Sequence, residues 1–269
     1  MLERVFERAH SVRRCAFIPY IVAGDPDLET TELFLCALTQ SGADIIELGV
    51  PYGDPLADGA AIAAAAHRAL KAGITLEAIL GVAQRAATNA CAPIVLFSYF
   101  NPILQYGIER FATDVATAQV RGVIVPDIAF EESQDVRYAL AASGVQMPLL
   151  ISPTTPAARA QMIADSSSAF VYVVSRLGVT GVDCPPNIKA IQTQLAPLRK
   201  MTRKPLAVGF GISTPPQVES VAALVDGVIV GSALIEAYGE ARGLEAVDRI
   251  QNLSTRLISA CKLKELSET

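Results

Sequence analysis

The amino-acid sequence predicts an α/β fold, a single (β/α)8 TIM barrel with one extra helix at its N-terminal end. The length of 269 residues is the usual length of one such barrel. Short apolar segments recur at regular distances, and each is followed by a helical pattern. No Pro- or Ser-rich linker separates the units, so we expect residues 1–269 to form one domain. No GxGxxG motif opens the first unit, which argues against an open dinucleotide-binding sheet.

The predicted strands are nearly continuous apolar runs, as is typical of parallel strands that are buried on both faces. Eight strands are expected, at residues 16–22, 45–50, 93–98, 122–125, 148–151, 169–174, 206–210 and 227–230. Helices are expected at 28–41, 60–87, 107–119, 131–142, 157–164, 188–200, 216–224, 233–238 and 244–261. The first ten residues should add a helix that caps the bottom of the barrel.

Composition limits the classes of partner and site. Hydrophobic residues make up 51% of the chain and charged residues 18%, which suits one large core. The net charge of −5 gives no reason to expect nucleic acid or an anionic membrane as a partner. Two histidines and five scattered cysteines without CxxC spacing argue against a metal site. The odd cysteine count and the absence of an apolar leader predict a soluble, cytoplasmic protein, or a plastid one if a transit peptide has been removed.

One carboxylate interrupts the apolar run of the second strand. Glu47 shares a strand face with Ile45 and Gly49, because strand side chains alternate. If this face looks into the barrel, Glu47 is a desolvated acid at the mouth, where reacting groups of such barrels lie. Burial would favour its neutral form and let it exchange protons near neutral pH. The alternative is a satisfied buried carboxylate or an outward ion-pair partner.

The loop at residues 51–59 places two more carboxylates above the same strand. Asp54 stands before a proline and is interpreted as a turn former or helix cap. Asp58 stands before Gly59 and is a second candidate for chemistry, although a turn role would also explain it. Three acids within twelve positions at one strand end are more than packing requires.

Glycines at the ends of the last two strands indicate an anion site. Gly211 follows the seventh strand, and Gly231 with Ser232 follows the eighth. Both turns lead into helices, whose first N–H groups attract anions, and many barrels bind phosphate here. The loop at 175–186, rich in Gly and Pro, is interpreted as a lid or as an ordinary surface loop.

At these residues the sequence resembles the tryptophan synthase α-subunit family nearly from end to end. The resemblance rests on several short segments taken in order, at residues 23–26, 46–51, 54–59, 99–103, 125–127, 178–181, 209–213 and 231–233. It implies retro-aldol cleavage of indole-3-glycerol phosphate to indole and glyceraldehyde 3-phosphate. It also implies that no metal or organic cofactor takes part.

The resemblance also implies roles for individual residues. Glu47 matches the family's catalytic glutamate, a proton shuttle, and Asp58 matches the aspartate that accepts the indole N–H. Tyr172 matches a tyrosine beside them, and Thr180 matches the lid residue that meets the aspartate. The positions that match the family's phosphate site are Gly181, Gly211, Gly231 and Ser232.

The family includes subunits that work with a β subunit as an α2β2 complex and lyases that release free indole alone. The segments at 51 and 101–102 favour the partnered form. Two other hypotheses for the function are a barrel that mainly activates a β subunit and a sugar-phosphate isomerase. A Schiff-base aldolase is disfavoured because Lys71, Lys189, Lys200 and Lys204 fall on helices or at the bottom of the barrel. The sequence departs from the usual family pattern at Gly53, Ala60, Ala63 and Ala129 and within the lid loop.

Overall fold

The computed structural model describes residues 2–56, 58–175, 187–209 and 211–263. Within these residues, eight parallel strands form one sheet in the order β4-β3-β2-β1-β8-β7-β6-β5. The strands are β1 (Ala16–Val22), β2 (Ile46–Gly49), β3 (Ile94–Phe97), β4 (Gly122–Ile124), β5 (Leu149–Ile151), β6 (Val171–Val174), β7 (Leu206–Gly209) and β8 (Gly227–Val230). A parallel bridge between Gly122 and Gln146 joins β4 to the residues before β5. The predicted barrel is therefore confirmed.

Helices surround the barrel and follow the strands in the expected alternation. The described helices are α1 (Glu3–Ser11), α2 (Leu28–Ser41), α3 (Ala60–Lys71), α4 (Leu76–Thr88), α5 (Phe100–Tyr106), α6 (Ile108–Thr117), α7 (Gln134–Ala142), α8 (Ala157–Ser166), α9 (Ile188–Met201), α10 (Pro215–Ala222), α11 (Ser232–Tyr238) and α12 (Gly243–Ala260). A short 3-10 turn, Phe130–Glu132, precedes α7.

Helix α1 closes the N-terminal end of the barrel. Phe6 packs against Phe170 with ring centroids 5.4 Å apart, and a Cβ on Gly227 would lie only 2.9 Å from the Phe6 ring. The Leu2 backbone N–H donates to Gln146 Oε1 at 3.0 Å. The extra helix predicted for residues 1–10 is thus present as Glu3–Ser11, and it plugs the bottom of the barrel.

The structure differs from two of the predicted helical stretches. The stretch 60–87 is divided into α3 and α4 at Gly73, whose φ of +76° is readily adopted only by glycine. The helix predicted at 107–119 begins instead at Ile108 and follows a separate helix, α5. Pro102 lies in the first turn of α5, where its missing N–H costs no helical hydrogen bond. The break at Gly73 and the additional helix α5 leave the barrel unchanged.

Candidate active site

Glu47 is the second residue of β2 and is 1% exposed. Its negative charge raises the pKa of Tyr20 on β1 and of Tyr172 on β6, after the larger effect of burial on each tyrosine. Strand β6 stands across the barrel from β2, so a carboxylate that acts on Tyr172 points into the barrel. The structure therefore places Glu47 on the interior face, as the alternation of side chains predicts.

Three acidic side chains are almost fully buried in the described part of the chain, and only two of them have a cationic partner. Asp25 is held by Arg68, with Nε–Oδ1 and Nη2–Oδ2 distances of 2.7 and 2.8 Å. Asp44 is held by Arg14 and accepts the Phe17 backbone N–H at 2.8 Å. Glu47 Oε1 accepts no hydrogen bond from any described residue. Glu47 is therefore no structural ion-pair partner, and its buried oxygen is free to meet a ligand.

The surroundings of the two candidate carboxyl groups give them different proton affinities. Burial raises the pKa of Glu47 to about 8, so the neutral acid is the main form at neutral pH. Asp58 is half-buried at the start of α3. Burial raises its pKa to about 6, against the opposite effect of a hydrogen bond from Tyr99. At pH 7 one carboxyl group is mostly protonated and the other mostly ionised, a pairing suited to acid–base work.

Two tyrosine rings lie directly against glycines at the strand ends. A Cβ on Gly49 would stand 2.6 Å from Tyr20 Cζ, and one on Gly209 would stand 2.9 Å from Tyr172 Cζ. Each glycine thus gives a buried tyrosine room to cross the barrel mouth, because no larger residue would fit. Tyr172, which the resemblance indicates, is 3% exposed and lies near Glu47 and Asp58.

An aromatic row that the sequence analysis did not predict borders the site. Tyr20 meets Phe97 edge-on with ring centroids 5.7 Å apart, and Phe97 meets Tyr99 edge-on at 6.3 Å. Tyr99 stacks on Tyr52 at 5.1 Å and also binds Asp58. Aromatic residues at the ends of the first and third strands were the available signal. Such a row offers edges and faces against which a flat aromatic ligand can pack.

The candidate phosphate residues lie at the ends of β7 and β8. Gly211 has a φ of +82°, and Gly231 is the N-cap residue of α11, which begins at Ser232. A Cβ on Gly231 would lie 3.1 Å from Tyr20 Cδ1, so this turn borders the Tyr20 side of the site. The N–H groups of Ser232 and of the next residue have no intrahelical partner, as at any helix start. Thr180 and Gly181 lie outside the described residues.

A cavity of about 530 Å³ lies at the carboxyl ends of β3 to β6. Tyr99 forms part of its wall, but Glu47 does not, so the cavity lies beside the carboxyl groups. Asp127 lines it as well, and its Oδ1 accepts the Phe100 backbone N–H at 2.8 Å. The volume lies within the range of small-molecule sites, roughly 300–1,000 Å³.

The described residues differ in the other kinds of site that they could form. No group of three or more His, Cys, Asp or Glu side chains in the described ranges is arranged to hold a metal ion. Cys15, Cys36, Cys91 and Cys261 are free thiols. None of the described helices is long and apolar enough to cross a membrane. Lys204, at the bottom of the barrel, donates to the carbonyls of Ala164, Asp165 and Ser167 and is far from the mouth.

The raised pKa of Glu47 predicts that stability depends on pH. The folded chain titrates Glu47 near pH 8 and the unfolded chain near its ordinary 4.5, so the folded state binds more protons between these values. The free energy of unfolding should therefore fall as pH rises from about 4.5 to about 8. At about 1.36 kcal/mol per pKa unit, the cost above pH 8 is at most about 5 kcal/mol. Urea unfolding at pH 5, 7 and 9 measures this change in the free energy of unfolding.

In the Glu47→Gln variant the side chain keeps nearly the same shape but has no carboxyl group to ionise. Its free energy of unfolding should therefore fall much less over the same pH range and should exceed that of the wild type at pH 9. Glu32→Gln serves as the control, because Glu32 forms an ion pair with Arg85 on outer helices. An equal pH dependence for wild type and Glu47→Gln would contradict the assigned pKa.

Comparisons with known proteins agree with the fold and identify the family of the chain. A family profile described as "Tryptophan synthase alpha chain" matches residues 6–267. The tryptophan synthase alpha chain of Picosynechococcus sp. is 48% identical over 251 residues, covering 90% of this chain and 94% of the relative. The alpha chain of Arabidopsis thaliana is 45% identical, covering 91% and 89%. A Mycobacterium tuberculosis tryptophan synthase structure superposes with a TM-score of 0.90 at 33% identity, covering 98% of both chains. The chain therefore belongs to the tryptophan synthase alpha chain family.

Proposed function

We propose that this chain is a carbon–carbon lyase that cleaves indole-3-glycerol phosphate to indole and glyceraldehyde 3-phosphate, as the α subunit of a tryptophan synthase. Its step in tryptophan biosynthesis follows from the family. The observation that carries the proposal is the buried carboxyl group of Glu47, whose Oε1 accepts no hydrogen bond from a described residue and which shares the surroundings of Tyr172 with Asp58, in a barrel of this family.

Glu47 is proposed as the proton shuttle. Cleavage requires a proton on indole C3 and removal of the proton from the hydroxyl group on the adjoining side-chain carbon. With a pKa of about 8, Glu47 starts as the acid and can protonate C3. The resulting carboxylate then takes the hydroxyl proton as the carbon–carbon bond breaks and the aldehyde forms. The acid form returns at the end, so one group balances both transfers.

Asp58 is proposed as the anion that stabilises the intermediate. Protonation of indole C3 leaves positive charge on the ring, and this charge is concentrated at the ring nitrogen. With a pKa of about 6, Asp58 is mostly ionised at neutral pH and can accept the indole N–H. The hydrogen bond from Tyr99 holds this carboxylate in place and favours its charged form.

The remaining candidates are proposed to position the substrate. Tyr172 borders the reacting carbon from the far side of the barrel, and the aromatic row from Tyr20 to Tyr52 packs against the indole ring. Gly211, Gly231 and Ser232 offer backbone N–H groups to the phosphate, together with Gly181. Thr180 is proposed to meet Asp58 when the lid loop closes.

We propose that a β subunit docks at the mouth of the barrel, in an α2β2 complex. Two apolar side chains at this end are solvent-exposed: Leu56 after β2 is 74% exposed, and Leu104 on α5 is 51% exposed. We propose that the β subunit covers both side chains. The proposed location is the cytoplasm, or the plastid stroma after removal of a transit peptide. Relatives in cyanobacteria and in a plant are consistent with both.

Indole release from indole-3-glycerol phosphate tests the function directly. We expect the purified chain to release indole slowly and to accelerate at least tenfold when a tryptophan synthase β subunit is added, because partner binding orders the site. The assay follows indole with the β subunit absent, present, and present with pyridoxal phosphate but no serine.

Each other result of the assay supports a different function. Fast release without the β subunit would indicate a free-standing lyase. No release under any condition, together with a faster β reaction, would indicate a barrel that acts mainly as an activator.

A further inference from the structure

An ionic cluster lies apart from the carboxyl groups to which we assign the reaction; its Asp25 and Tyr238 are buried, and its Arg68 is 41% exposed. Asp25, in the loop after β1, is fully buried and is bound by Arg68 through two hydrogen bonds of 2.7 and 2.8 Å. Tyr238 donates its hydroxyl hydrogen to Asp25 Oδ2 at 2.6 Å, and the tyrosine is also fully buried. All three side chains are polar, and the proton transfers proposed above use none of them.

The cluster joins the elements that carry the two ends of the proposed substrate site. Arg68 lies on α3, and the residue two positions before the start of this helix is Asp58. Tyr238 is the last residue of α11, whose first residue is Ser232 at the proposed phosphate site. The Asp25 loop follows β1, which carries Tyr20. Helices α3 and α11 also pack against each other and against β1.

Such a cluster holds its elements firmly. A carboxylate that is removed from water and bound by a bidentate guanidinium and a hydroxyl group gains strong, directional hydrogen bonds. Burial raises the pKa of Tyr238 well above its ordinary value, so this hydroxyl remains a donor. A displacement of α3 relative to α11 would lengthen or bend these hydrogen bonds, which join the two helices through Asp25.

From this juxtaposition we infer that Arg68, Asp25 and Tyr238 are positioning residues that set the distance between the indole end and the phosphate end of the substrate site. The inference rests on the proposed function, since it assigns these ends to Asp58 and Ser232. A site with the correct spacing binds a ligand that spans both ends more tightly than it binds the separate pieces. Loosening the cluster should remove this advantage and leave the binding of each piece unchanged.

The chain offers matched controls for each substitution. Tyr106 donates to Asp114 Oδ2 at 2.7 Å, so Tyr106→Phe removes an equivalent hydrogen bond on the outside of the barrel. Arg85 binds Glu32 at 2.8 Å between α2 and α4, so Arg85→Lys matches Arg68→Lys. We choose Tyr238→Phe as the main variant, because it leaves the Arg68–Asp25 pair intact and should fold. Removing Arg68 entirely would leave a buried charge unpaired.

The experiment measures dissociation constants for three probes by calorimetry on the folded variants. The probes are indole, inorganic phosphate, and an indole joined to a phosphate by a plain three-carbon chain that cannot be cleaved. For Tyr238→Phe and Arg68→Lys we expect the tethered ligand to bind about tenfold more weakly, with less than a twofold change for indole or phosphate. The KM of cleavage should rise by a similar factor, whereas the controls should match wild type.

The inference is overturned if all three probes weaken alike, if none changes, or if Tyr106→Phe gives the same split. A purely structural role would lower the thermal midpoint without separating the tethered ligand from its pieces. Failure of the proposed function looks different. In that case the wild type itself would neither bind the tethered ligand more tightly than the pieces nor release indole.

Discussion

Glu47→Gln is expected to lower kcat for indole release by about 10³-fold or more, because the amide cannot exchange the two protons of the reaction. The side chain keeps nearly the same volume in a site that is 1% exposed, so packing should be preserved. Binding of the non-cleavable indolylpropyl phosphate should change less than threefold. Steady-state release of indole, with and without a β subunit, measures the effect.

The environment of Glu47 makes this variant decisive. Glu47 has no cationic partner among the described residues, in contrast to Asp25 and Asp44, so its loss breaks no ion pair. Glu32→Gln, in the exposed pair with Arg85, should retain full activity. Turnover by Glu47→Gln within tenfold of wild type would show that another group moves the protons.

Asp58→Ala is expected to lower kcat/KM by about 10²-fold or more, because the positive charge that develops on the indole ring would lose its anion. The loss should fall mainly on kcat, since charge appears only after C3 is protonated. Asp54→Ala is the matched control, because Asp54 lies in the same loop and is exposed. The measurement compares kcat and KM for the wild type, Asp58→Ala and Asp54→Ala.

The pH dependence of kcat/KM tests which of the two carboxyl groups must be protonated and which must be ionised. The pKa of Asp58 is about 6 and that of Glu47 about 8, so activity should need Asp58 ionised and Glu47 protonated. We expect kcat/KM to rise from pH 5 to about pH 6 and to fall above pH 8. An Asp58→Ala variant that keeps the wild-type rate and the rise below pH 6 would show that Asp58 is only a turn residue.

Much of the barrel was predictable because the pattern of apolar residues that specifies each strand or helix lies within that segment of the sequence. Strands buried on both faces require continuous apolar runs, and the helical segments between them carry their own helical pattern of apolar residues. The split at Gly73 and the separate helix α5 were not predicted. The backbone conformation of a glycine and the tolerance of Pro102 in a first turn depend on the surrounding contacts.

The candidate site was predictable to the extent that its residues interrupt a pattern. Glu47 is a lone acid in an apolar strand, and Asp58 follows it within a short loop. The glycines after β7 and β8 mark turns where a backbone can approach an anion. The aromatic row and Tyr20 escaped prediction, because a tyrosine within an apolar run looks like ordinary core until its neighbours on other strands are known.

What the sequence determined by itself is therefore the order of strands and helices and the positions of acids at strand ends. It left open whether Glu47 is a reacting acid or a satisfied buried carboxylate, which is what Asp25 and Asp44 are in the structure. Asp25 meets Arg68, 43 residues away, and Tyr238, 213 residues away, while Asp44 meets Arg14, 30 residues away. Only the closed barrel decided which acid is paired and which is left buried without a cation. The reason is physical: the free energy of a buried charge depends on groups that folding brings near, whatever their separation along the chain.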